Sequence, residues 1–257
     1  MKPFIKKFDS SYVDIYPIGD LHWGSQNCDT DFVQKVIDEV ADNPEGRVVL
    51  MGDLCENALT NSKSDVYKQI MSPQKQVEEI AEVFMPIKDK ILFAITGNHE
   101  ERTFKTSGND LTDNITMRLC VPYKGYSCLA KFFVNSKTPN GFLCYFHHSW
   151  GGGYTHGGKV NASDKLRTIV PHADAIFNGH SHTTGRIPHT WYDLGKAEVL
   201  EKTGYNYITG SALTYSESYG EARGARPASC EFIKVRLKGA STGKRDNRQQ
   251  VYSVITK

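Results

Sequence analysis

Five short apolar runs divide roughly the first two-thirds of the chain, and each ends in a polar turn. Residues 13–18 run into Gly19-Asp20, 48–51 into Gly52-Asp53, and 91–96 into Gly97-Asn98. Residues 142–146 run into His147-His148, and 174–177 into Asn178-Gly179-His180. Runs this short, apolar and glycine-bounded predict buried strands. Between them the apolar spacing changes to threes and fours. Phe32, Val33, Val36, Ile37 and Val40 predict one helix. Val77, Ile80, Ala81 and Phe84 predict a second, opened by Ser72-Pro73. Leu111, Ile115 and Leu119 predict a third, and Leu166, Ile169 and Val170 close a shorter fourth. Strands alternating with helices predict βαβ units of an α/β domain, whose ligands collect at the carboxyl ends of the strands.

The last eighty residues follow another pattern. Residues 205–209, 230–237 and 250–255 predict strands with no clear helix between them, and 238–249 read as a hairpin loop. The stretch 183–204 fits neither period and reads as a long loop over the site. There is no repeat and no linker composition. With 257 residues, near the upper limit for one core, residues 1–257 are expected to form a single domain, with 205–257 completing a second sheet.

Composition narrows the classes of function only a little. The chain carries 31 basic and 29 acidic residues, a formal net charge of +2, which by itself marks neither a nucleic-acid binder nor a membrane-surface protein. Six cysteines without a CxxC pair predict reduced thiols in a cytoplasmic protein. No stretch approaches the roughly 18 apolar residues of a membrane span, so a membrane partner is not expected.

The turns after the strands hold the chemistry. Asp20 and His22 lie two apart, a spacing that shares one side of an extended chain, so a carboxylate and an imidazole can grip one ion there. Asp53 has two oxygens and can bridge two cations. In Gly97-Asn98-His99-Glu100, the Asn98 amide is an acceptable ligand and the next side chain, His99, is free to act on a substrate. Of the adjacent pair His147-His148, one is expected to be a ligand, and His148 is favoured. His180 and His182 repeat the two-apart spacing. Imidazole donors suit manganese, iron or zinc better than magnesium or calcium. Nine histidines occur in the chain, and six of them fall in these segments. Each piece also has an ordinary reading as a turn, a cap or a buried histidine; their joint order favours a two-metal site for phosphate-ester hydrolysis.

With these residues in order, DxH, GD, GNHE, H and GHxH from Gly19 to His182, the chain resembles the calcineurin-like metallophosphoesterase superfamily. The resemblance implies two mixed β-sheets packed as a sandwich with helices outside. It implies a first metal held by Asp20, His22 and His182, and a second by Asn98, His148 and His180. Asp53 would bridge the two together with a hydroxide nucleophile. His99 would be the catalytic histidine, with Glu56 orienting it. The expected cofactors are two divalent transition-metal ions, manganese first, with iron, zinc or nickel as alternatives. Glu56 stands where purple acid phosphatases have a ligating tyrosine, and Asn57 where protein phosphatases have a phosphate-binding arginine, which argues against both branches. Arg102 is the nearest substitute phosphate contact. Trp23 and Trp150, the latter opening a glycine-rich segment with Tyr154, are candidates for stacking on a substrate.

The expected partner is a phosphate-ester substrate, mono- or diester, with nucleotides and nucleic acids among the candidates. A nuclease is the first alternative, and Lys234, Arg236, Lys238, Lys244, Arg245 and Arg248 offer a strip for a nucleic-acid backbone. A non-catalytic metal-binding scaffold is the alternative of another class.

Overall fold

The computed structural model describes residues 2–62, 64–135, 141–149, 151, 155–195, 197–222, 224, 227–228, 230–239 and 248–257. Two mixed sheets carry the chain. The five-stranded sheet contains β2 (Tyr12–Ile18), β3 (Gly46–Leu50), β4 (Ile91–Ala94), β10 (Glu231–Lys238) and β11 (Gln249–Thr256), in the order β11-β10-β2-β3-β4. The six-stranded sheet contains β1 (Lys2–Phe8), β5 (Ser127–Val134), β6 (Phe142–His147), β7 (Ala175–Asn178), β8 (Gly185–Leu194) and β9 (Val199–Ile208), in the order β1-β5-β6-β7-β9-β8.

The period of two in the strands sorts side chains into layers. Val13 and Ile15 of β2 face the inter-sheet core with Val49, Phe93, Phe132, Phe146, Phe177 and Val235. Tyr16 and Ile18, the alternate positions, face an outer core under α1 (Thr30–Asp42), α2 (Pro73–Phe84) and α4 (Leu111–Leu119). A smaller cluster of Tyr145, Ile176, Ala173 and Leu166 seats α5 (His156–Arg167) on the other sheet. The result is an αββα sandwich of two mixed sheets, as expected. α2 starts where the sequence places it: Ser72 accepts from the Lys75 N–H, and Pro73 fills the first helical position, where its missing N–H costs nothing.

Elements that the apolar pattern does not announce are β1, β5, β8 and the helix α3 (Asn98–Ser107). Residues 183–204 are not a loop: most of them form a ten-residue antiparallel hairpin, β8 against β9, from the Gly185–Ile208 pair to the Leu194–Val199 pair. Residues 205–257 divide between the sheets. The end of β9 joins β7 in the six-stranded sheet, and β10 and β11 extend the five-stranded one.

β2, β3 and β4 are parallel neighbours, as are β6 and β7. Their carboxyl ends therefore open on one edge of the sandwich, and the polar turns after them meet there. Among the described residues, no helix is long and apolar enough to cross a membrane.

Candidate metal centre

The turns that carry the expected ligands are unusually tight. Asp20, His22, Asp53, His180 and His182 all have φ between 48° and 69°, in the left-handed region that side chains other than glycine rarely enter. Such backbone persists only where its surroundings fix it. Two glycines make this packing feasible. A Cβ on Gly52 would lie 2.3 Å from the Gly97 nitrogen, and one on Gly97 would lie 2.2 Å from an Asp53 carboxylate oxygen. The β3 and β4 turns interlock only because neither residue has a side chain. Glu100, one turn into α3, closes the lock: its carboxylate accepts the N–H groups of Gly97 (3.1 Å), Asp53 (2.9 Å) and Cys55 (2.9 Å).

Three groups of side chains converge with ligand atoms within 4.8 Å of one another: Asp20, His22 and His182; Asp53, His148 and His180; and His22, Asp53 and His99. In the first group the Nε2 atoms of His22 and His182 face each other at 3.2 Å, and His182 Nε2 is 3.2 Å from Asp20 Oδ1. In the second, His148 Nε2 lies 3.1 Å from Asp53 Oδ2 and 3.1 Å from Asn98 Oδ1. Asp53 stands between the groups, with His22 Nε2 at 4.0 Å from the same oxygen that faces His148.

The outer nitrogens are held as metal-ligating imidazoles usually are. His148 Nδ1 donates to the Met51 carbonyl (2.9 Å), and His22 Nδ1 is 3.0 Å from the Glu56 carboxylate. Each leaves its Nε2 aimed inward. His147 does not share the cluster; its Nδ1 accepts the Ser149 N–H at 2.7 Å.

Asp20 and Asp53 are almost fully buried, and among the described residues no lysine or arginine forms an ion pair with either. Burial would raise the Asp53 carboxyl, but His148, His99 and His22 outweigh it and hold it well below the usual range. His148 and His182 outweigh burial at Asp20 as well and lower its carboxyl. Burial would lower His148, yet Asp53 and Asp20 push it up to about 10. Burial brings His180 down to about 4 and His99 down to about 3. The chain alone thus balances its carboxylates with protons on histidine, and a cation entering this donor set must displace them. Carboxylate, amide oxygen and imidazole converging on two adjacent points fit a pair of divalent transition-metal ions.

His99 lies beside this set, 3.9 Å from Asp53 Oδ2. Glu56 holds it through its main chain, with His99 Nδ1 at 2.6 Å from the Glu56 carbonyl oxygen, whereas the Glu56 carboxylate is nearer to His22 and lies 3.9 Å from His99. Orientation of His99 thus comes from the Glu56 backbone, and the expected side-chain contact falls on a ligand histidine instead. Arg102 Nη2 donates to His99 Nε2 at 2.7 Å, and its Nη1 donates to Ser64 Oγ at 2.9 Å.

Of the stacking candidates, Trp23 packs against the outer core with Nε1 donating to Glu79 at 2.9 Å, so its ring is committed to structure and does not line the cleft. Trp150 and Tyr154 lie outside the described residues, as do Lys244 and Arg245. The basic C-terminal strip is largely spoken for: Lys234 pairs with Glu39, Arg236 with Asp14 and Arg248 with Asp174. Sequence reasoning assigned no role to Glu100 or Ser64. Glu100 was detectable, since glutamate three residues after a helix-opening position is a capping signature. Ser64 leaves no such trace.

The family model for calcineurin-like phosphoesterases matches residues 14–184, well over half of the chain. The chain belongs to the calcineurin-like phosphoesterase family. No curated protein matches it. Among solved structures, vacuolar protein sorting 29 from Cryptosporidium parvum is 13% identical, with 96% of this chain and 99% of that one covered and a TM-score of 0.41. The wild-type Vps29 of Entamoeba histolytica, complexed with zinc, is 14% identical, with coverages of 93% and 99% and a TM-score of 0.43. A protein of Streptococcus pneumoniae TIGR4 described as a predicted phosphoesterase is 13% identical, with coverages of 94% and 98% and a TM-score of 0.37.

Proposed function

We propose that this chain is a metal-dependent phosphoesterase with a dinuclear centre. The observation that carries the reading is Asp53: one buried carboxylate stands between two sets of imidazole and oxygen donors, with His99 and Arg102 beside it. Asp20, His22 and His182 would hold one ion, and Asn98, His148 and His180 the other, with Asp53 shared. Manganese is the expected metal. The bound ions supply Lewis acidity toward phosphate oxygens and make water acidic enough to attack near neutral pH.

The protein's own groups do the rest. Asp53, locked by Glu100 and by the His99 N–H (2.8 Å), fixes the distance between the two sets. His99 would assist the leaving oxygen with a proton on Nε2, which requires Arg102 to give up its bond to that nitrogen. Asn57, at the position where protein phosphatases carry an arginine, is fully buried. It ties its loop to α3, donating to the His99 carbonyl (2.5 Å) and accepting from Thr103 (2.9 Å), so it cannot reach a substrate. Arg102 comes over it from α3. Its partners among the described residues are neutral: Ser64, His99 and the carbonyls of Glu56 and Asn57. A half-buried guanidinium without a carboxylate partner beside the catalytic histidine is placed for a phosphate oxygen.

The test is turnover of bis-p-nitrophenyl phosphate and p-nitrophenyl phosphate by the manganese-loaded chain, with metal content measured in parallel. His99→Ala should lower turnover by about 10²–10⁴-fold and leave metal bound. A chain that binds manganese but hydrolyses neither ester would instead be a metal-binding scaffold.

A further inference from the structure

The cleft over the metal centre is much larger than one phosphate group needs. It measures about 920 Å³, near the top of the roughly 300–1,000 Å³ that encloses a whole small ligand. Its walls come from different parts of the chain. α3 runs away from Asn98 and turns Asn98, His99, Arg102 and Lys105 to the cleft. At helical rise, Arg102 stands about 6 Å and Lys105 about 10 Å beyond Asn98 along the axis. Asn61, Ser62, Ser64, Asp65 and Lys68 supply a second wall, braced at Ser64 and Lys68. Ser64 holds Arg102, and Lys68 Nζ donates to the Glu217 carbonyl at 2.5 Å. Thr214, Tyr215 and Ser218 supply a third, backed by Asn27, which donates to the Ser216 carbonyl at 2.8 Å. Lys159 of α5 reaches in beside Thr183.

Positive charge is therefore spread over separate walls, with Arg102, Lys68 and Lys159 on three different elements. The acids on those walls are engaged locally: Glu56 with His22, Asp65 with the Tyr67 N–H, and Glu101 with Lys105 and Tyr126. A phosphate monoester would need the metals and one cation. Cations from separate elements around one cleft suit a ligand with several anionic groups. Tyr67, the chain neighbour of the cleft residue Lys68, is 98% exposed and offers an aromatic face to a base. Asp53, which lines the cleft, is 1% exposed. A carboxylate this buried is reached more readily by a flexible single strand than by a stiff duplex.

We propose that the cleft takes single-stranded nucleic acid, with the scissile diester at the metals and neighbouring phosphates at Arg102, Lys68 and Lys159. This rests on the phosphoesterase reading above, and it names that site's substrate class.

The test uses the full chain, metal-free and manganese-loaded, titrated with a fluorescein-labelled single-stranded oligonucleotide and with its duplex by anisotropy over a range of NaCl. Hydrolysis of bis-p-nitrophenyl phosphate is measured beside it. Each phosphate contact to a single strand contributes about −0.7 to the slope of log affinity against log salt, so three contacts predict a slope near −2. The double variant Lys68→Ala/Lys159→Ala should flatten that slope by about 1.4 and weaken binding about tenfold at moderate salt. Tyr67→Ala should weaken it about fivefold or more without changing the slope. A duplex bound as tightly as the single strand, or a double variant with the wild-type slope, overturns the proposal. Turnover of bis-p-nitrophenyl phosphate without strand binding overturns it too, and leaves the phosphoesterase reading standing. Strand binding without turnover of bis-p-nitrophenyl phosphate or cleavage of the strand overturns the phosphoesterase reading, and the claim of a substrate with it.

Discussion

Two buried aspartates sit near opposite ends of β2, six residues apart, and the fold treats them in opposite ways. Asp14, at the amino end, is fully buried and neutralised by its own chain. Arg236 of β10 grips it with two bonds of 2.7 and 2.8 Å, and Asn43 adds a third at 2.9 Å. Asp20, just past the carboxyl end, is equally buried, and its carboxylate partners among the described residues are His182 and the His180 N–H. A buried carboxylate with a fitted arginine is a finished structural element. A cluster of buried carboxylates faced by imidazoles is a donor set that could hold a cation from outside. The sequence distance between a staple and a metal centre is here less than one strand.

The sharpest way to break this contrast is Asp53→Ala. If the centre is built around a shared carboxylate, the variant should lose manganese and lose turnover by on the order of 10³-fold or more. It should still fold, because removing a desolvated carboxylate from a metal-free cluster removes a cost as well as its contacts. Full metal content with full activity would show that Asp53 bridges nothing.

Manganese itself is the next lever. A ligand present at 100 times its dissociation constant stabilises the native state by about 2.7 kcal/mol, so thermal unfolding of the wild type should move upward with added metal and fall back with chelator. Asp53→Ala should show no such shift. An equal shift in both proteins would place the stabilising ion elsewhere.

The Asp14 end should answer in the reverse sense. Arg236→Ala strands a buried carboxylate and should cost roughly 2–3 kcal/mol, toward the low side for such changes because Arg236 is itself partly solvated and Asn43 remains. Urea unfolding reads the loss directly. Metal content should be unchanged. If manganese affinity fell as well, the two ends of β2 would be one coupled network.

What could be read from the sequence divides along the same physical line. Strands buried on both faces leave continuous apolar runs, so β2, β3, β4, β6 and β7 stand out, and the ligands follow directly after them. β1 reads as KPFIKKF and β8 carries Pro188 among polar residues. Both are edge strands, where lysine and proline are tolerated and the apolar signal is lost. α3 is invisible for a different reason. The residues it buries are His99, Glu100 and Glu101, so the face it packs inward is polar and has no hydrophobic period. That helix owes its place to the site it serves. The convergence of His22 and His182, 160 positions apart, follows from parallel strands in two sheets opening on one edge. Only the family resemblance anticipated it. The exchange of roles at Glu56, main chain to His99 at 2.6 Å and side chain to His22 at 3.0 Å against 3.9 Å to His99, is a local choice that no spacing encodes.

The smallest predicted effect tests the Asp14 staple by pH. Burial would raise the Asp14 carboxyl, but Arg236, Asn43 and Lys234 outweigh it and hold it below its ordinary value. A carboxyl lowered by folding stabilises the native state above the unfolded value of about 3.9 and loses that contribution as pH falls through the folded value. In Arg236→Ala the main opposing charge is gone, and burial lifts the folded carboxyl back toward or above the unfolded one. The difference in stability between wild type and variant should therefore be largest near neutrality and shrink as pH falls below about 4, where Asp14 takes up its proton. The carboxylates of the candidate metal centre are common to both proteins and cancel in the difference. Urea unfolding of the metal-free pair at neutral pH and near pH 3 decides the matter. A difference that stays constant across that range would mean that Arg236 acts through its packing on the Tyr12 ring, 4.0 Å away, and not through the charge on Asp14.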